Sequence, residues 1–115
     1  MQPTAWKRWR QPRIERELMR MTDVLQRLGA DRVILFGEYA RGDCRKTGSV
    51  DLLVVLDTKQ RMADRIERVL EALDSEMTVE PLVYTPQEFE RLKANGGPLI
   101  EAVEHEGRVL YERAT

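Results

Sequence analysis

The residue best placed to do chemistry is Asp51, which heads the apolar run Leu52-Leu53-Val54-Val55-Leu56. A carboxylate entering a buried strand needs water, a partner or a metal. Upstream, a second β-branched-rich run, Val33-Ile34-Leu35-Phe36, ends directly at Gly37, and Gly42 follows shortly after. Glycine allows backbone conformations and a closeness of ligand approach that a Cβ forbids. A strand, a glycine turn and a carboxylate on the next strand together fit a site for a metal-bound nucleotide.

Such a site needs elements to hold it. Residues 13–28 carry Ile14, Leu18, Met21, Leu25 and Leu28 at steps of three and four, the pattern of an amphipathic helix, with Gly29 as its stop. Val33–Phe36 and Val50–Leu56 read as strands, and the unbroken apolar run of the second predicts cover on both sheet faces. Residues 60–74 form a second amphipathic helix. It has Met62, Ile66, Val69, Leu70 and Leu73 inward, and Arg61, Asp64, Arg65, Glu67, Arg68 and Glu71 on its solvated side. Met77–Tyr84 is a third strand, interrupted by Glu80, and Pro81 assigns that part to an edge or a bulge. Thr85-Pro86-Gln87-Glu88 is a helix start, with Thr85 as N-cap and Glu88 closing a capping box. That helix stops at Asn95-Gly96-Gly97; Pro98 opens another, Gly107 ends it, and Arg108–Glu112 reads as a last strand.

The segment Gly37-Glu38-Tyr39-Ala40-Arg41-Gly42, the loop 43–47, and Gly48-Ser49-Val50-Asp51-Leu52-Leu53-Val54 carry a recognisable signature. They resemble the DNA-polymerase-beta-like nucleotidyltransferases, most closely the minimal, antitoxin-type nucleotidyltransferases, and align without a gap. The family pattern is Gly-Ser, Tyr-Ala-Arg-Gly, a short variable loop, then Ser-Asp-Ile-Asp-Leu-Leu-Val. The resemblance implies an α/β nucleotidyltransferase fold, a small mixed β-sheet with helices packed mainly on one face. It implies transfer of a nucleoside monophosphate from a magnesium-bound triphosphate, ATP first among candidates, to a hydroxyl. In the antitoxin branch that hydroxyl belongs to a tyrosine of a helical HEPN-type ribonuclease. By alignment, Asp51 and Glu80 are the catalytic and metal-holding carboxylates, and Gly37, Glu38, Arg41, Gly42 and Ser49 line the nucleotide loop. Two positions depart from the pattern: Glu38 stands where the family has serine, and Ser49 where it has the first aspartate of the pair. One change adds a negative charge where phosphates arrive; the other removes a metal ligand.

Composition bounds the rest. A chain of 115 residues is one domain by length, expected over 13–115, with a basic, aromatic arm over 1–12. That arm, with Trp6 and Trp9, either docks on a partner or on RNA or folds back over the domain. The net charge of −1 gives no global electrostatic case for nucleic acid or a membrane surface. A single cysteine, Cys44, excludes an internal disulfide and a cysteine-based zinc cluster, and fits a reducing, cytoplasmic setting. No apolar run approaches the ~20 residues that span a bilayer, and the N-terminus lacks an apolar signal core. His105 and Arg45 read as surface residues, and Cys44 as an inert thiol. Two functions stay open: a nucleotidyltransferase with weakened or lost activity, or an inactive antitoxin-like subunit bound to a helical partner. A domain this small is also expected to pair with that partner or with itself.

Overall fold

The structure is a computed structural model that describes residues 12–42 and 48–114. Helix α1 spans Pro12–Leu28, strand β1 Arg32–Phe36, helix α2 Glu38–Arg41 and strand β2 Val50–Val55. Helix α3 spans Met62–Leu73, strand β3 Val79–Tyr84, helix α4 Pro86–Asn95, helix α5 Pro98–Glu106 and strand β4 Arg108–Glu112. Of the expected N-terminal arm, residues 1–11 lie outside the described residues, as do Cys44 and Arg45; Pro12 opens α1.

The four strands form one mixed sheet in the order β3-β2-β1-β4. β1 runs antiparallel to both β2 and β4, while β2 and β3 run parallel. The parallel pair is joined by α3, since parallel neighbours need a crossover rather than a tight turn. β3 is an edge, as Pro81 requires.

Side-chain alternation along β2 sorts the core into two layers. Val50, Leu52 and Val54 face one way and pack with Leu18, Met21 and Leu25 of α1 and Val69 and Leu73 of α3. Leu53 and Val55 face the other way, against Phe89 of α4 and Ile100 and Val103 of α5. The two longest helices and the larger core thus share one face, and the second face is covered by α4 and α5. The unbroken apolar run of β2 is the local cause, because both of its faces are buried.

The capping box at α4 forms as its sequence dictates. Thr85 Oγ1 accepts from the Glu88 N–H at 3.2 Å, and Glu88 Oε1 accepts from the Thr85 N–H at 2.9 Å. Two expectations fail on α3. Arg65 is not on the solvated side but buried at 8% exposure. Its Nε donates to Gln60 O at 2.7 Å, and its Nη1 to Val83 O at 3.1 Å and to Glu88 Oε1 at 2.7 Å. Leu70, expected inward, is 40% exposed. Helical periodicity marks a face, but β3 and α4 decide where that face ends, and they supply Arg65 with polar partners.

Candidate functional site

Where β1 ends, the chain turns through Gly37 into α2. Gly37 has φ 77° and ψ −151°, a backbone conformation that L side chains rarely adopt. A Cβ at this position would also run into Asp51 Oδ2 and lie 3.0 Å from its Cγ. Both the turn and the close approach of Asp51 therefore require glycine here. The expected helix is a single turn: the Arg41 N–H returns to Gly37 O at 3.1 Å, and Gly42, at φ 81°, closes it. The Gly42 N–H is spent on Glu38 O and Tyr39 O, so its contribution is the turn itself. Tyr39 Oη donates to Gly48 O at 3.3 Å, tying α2 to the segment that leads into β2.

Asp51 and Glu80 stand side by side in the parallel β2–β3 register, and Phe36 pairs with Asp51 from the other side. Asp51 shares its side of β2 with Leu53 and Val55, so the carboxylates open on the face covered by α4 and α5. Ser49, buried at 7% exposure, lies two residues before Asp51, just outside β2. Glu38 is buried at 9% exposure in the first turn of α2. The structure therefore brings Gly37, Glu38, Ser49, Asp51 and Glu80 to one end of the sheet. Arg41 is tethered at the rim, where its Nη1 meets Glu106 Oε2 at 2.9 Å. Glu106 escaped the sequence reading; it is 65 residues from Arg41, and only the packing of α5 brings it there.

The Asp51 carboxyl is pushed up to about 6. Burial is the leading cause, followed by the hydrogen bond with Glu80, then the charges of Glu80 and Glu38; Arg41 opposes them. The native state thus holds a proton on Asp51 that the unfolded chain releases near its ordinary value of 3.8. The resulting stabilisation is complete below about pH 4 and is lost as pH rises through about 6. Discounted for solvent, the penalty above pH 6 is on the order of 1–2 kcal/mol. Asp51→Asn is therefore expected to melt above wild type at pH 7.5 without metal and level with it near pH 4. Thermal melts across that range measure this, and a variant that melts lower throughout would mean that the Asp51 carboxylate supports the fold.

The donor set fits a hard divalent cation in kind. Two touching carboxylates, one of them carrying a raised pKa, are relieved by positive charge, and magnesium is commonly held by one or two carboxylates plus substrate phosphates. Among the described residues, no group of three His, Cys, Asp or Glu side chains is set to hold an ion unaided. A groove of about 550 Å³ lies apart from the carboxylates, between α1, Tyr39 and the α3–β3 connection, with Arg13, Arg16 and Arg20 on its α1 wall. None of the expected site residues lines it. His105 is exposed, as expected.

The mixed sheet, the glycine turn and the paired carboxylates define a nucleotidyltransferase-type domain. A family model described as a nucleotidyltransferase domain matches residues 18–111, and the chain belongs to that family. Nucleotidyl transfer, with a nucleoside triphosphate as substrate class, is the chemistry this membership supports. No curated protein and no solved structure matches the chain significantly. Among the described residues, no helix is long and apolar enough to cross a membrane.

Proposed function

We propose that this chain is a minimal, antitoxin-type nucleotidyltransferase domain that binds magnesium-ATP weakly and transfers nucleotide slowly or not at all. The observation that carries this reading is Glu38. It is buried one residue after the glycine turn, and its negative charge reaches Asp51. A serine at this position would carry no charge; a glutamate meets a polyphosphate with like charge. In this reading Asp51 and Glu80 hold magnesium, Gly37 shapes the turn of the phosphate loop, and Arg41 offers a cation to the phosphates. Bound magnesium would neutralise charge on the transferring phosphate. With transfer weakened, the domain acts mainly by docking on a helical HEPN-type partner in the cytoplasm.

Titration calorimetry with ATP, with and without magnesium, tests the reading. We expect a dissociation constant weaker than about 0.1 mM, that is, less than about 5.5 kcal/mol of binding. Label transfer from ATP to the partner should be correspondingly slow. A second reading rests on the same residue: the charge of Glu38 reaches Asp51, and a Glu38 side chain that turned toward a bound cation would replace the ligand missing at Ser49. Micromolar, magnesium-dependent ATP binding by the wild type would favour that reading and overturn the first.

A further inference from the structure

Glu106 is the last residue of α5, and Arg41 is the last residue of α2. Their side chains meet at 2.9 Å, with the Arg41 side chain 46% and the Glu106 side chain 37% exposed. Glu106 is not free to wander. The next residue, Gly107, returns its N–H to Val103 O at 3.0 Å, and a Cβ there would strike Val103 O and come within 2.9 Å of Ile34 Cγ2. The end of α5 is therefore pressed against β1, in a space that only glycine fits, and Glu106 is held beside the candidate site. On α2, Arg41 lies three residues after Glu38, on the same helix face. Its positive charge also reaches Asp51. The Arg41 guanidinium thus sits at the rim of the site, within reach of the Asp51 charge, with its direct ion pair made to Glu106, a residue outside the nucleotide loop.

We infer that Glu106 is a positioning residue: its carboxylate occupies the Arg41 guanidinium as a resident anion that an arriving polyphosphate must displace. The inference rests on the reading of Arg41 as a phosphate-facing cation. Exposed at both ends, the pair is exchangeable without disturbing the core, since such ion pairs contribute about 0.2–1 kcal/mol. Glu106 is then a second obstacle to polyphosphate binding, separate from Glu38.

The test is calorimetric titration of inorganic tripolyphosphate, with magnesium at low salt, into wild type, Glu106→Gln, Arg41→Gln and the double variant. Glu106→Gln is expected to tighten binding by up to about fivefold, the upper end of what one exposed ion pair contributes. The gain should vanish in the Arg41→Gln background, which separates release of the guanidinium from a general loss of negative charge. Melting temperatures should stay near wild type, so a change in affinity does not reflect a change in fold. Equal or weaker binding by Glu106→Gln overturns the role of Glu106 alone, as does a gain that persists without Arg41. Absence of tripolyphosphate binding in all four proteins overturns both this role and the phosphate reading of Arg41.

Discussion

Glu38→Ser combined with Ser49→Asp is expected to tighten magnesium-dependent ATP binding by at least about tenfold, or 1.4 kcal/mol. Ser49 lies two residues before Asp51, at the position of the first aspartate of the family pattern, so a carboxylate there is expected to add a donor to the Asp51–Glu80 pair. Removing Glu38 takes away an anion whose charge already raises the Asp51 pKa. At an effective dielectric of ~20, one like-charge contact at ~4 Å costs about 4 kcal/mol before screening, so even a fraction of it exceeds the expected gain. The double variant carries a second signature. Position 49 is buried, so an aspartate there should lower the melting temperature without magnesium and recover it when magnesium is added. Calorimetry and melts on both proteins, with and without magnesium, measure both effects. ATP binding that is tight in the wild type and lost in the double variant would show Glu38 to be a working ligand.

Arg65→Ala is expected to destabilise the domain by about 3 kcal/mol, because it leaves a carboxylate and a buried carbonyl without their shared donor. That corresponds to a fall of roughly 10–15 °C in melting temperature for a domain of this size. Arg65 ties α3 to β3 and α4 at once, through Val83 O and the Glu88 carboxylate. Glu88 also caps α4, and its carboxyl is held below its ordinary value first by Arg65 and then by the Thr85 N–H. Arg65→Met with Glu88→Gln should recover much of the loss, since the apolar stem is restored and the amide oxygen still accepts from Thr85. Thermal melts of the single and double variants decide this. A loss below about 0.5 kcal/mol for Arg65→Ala would class the pair with exposed surface bridges.

The sequence by itself determined the elements and their order. Helical steps in 13–28, the two apolar runs, the Thr85–Glu88 capping box and the stops at Gly29, Gly96 and Gly107 each act through local backbone physics, and each element formed within a few residues of its expected limits. The edge position of β3 was legible too, because Pro81 lacks the donor that an interior strand needs. So was the turn at Gly37, since its conformation tolerates little but glycine.

Contacts between residues distant in the chain were decided only by tertiary structure. Arg65 looks like any other charge on an amphipathic helix; the packing of β3 and α4 buried it and gave it partners. Nothing in the sequence around Glu106 signals Arg41, because their meeting depends on where α5 ends against β1. The closeness of Asp51 and Glu80 depends on the parallel register of β2 with β3, and a slip of one residue would have sent one carboxylate to the opposite face.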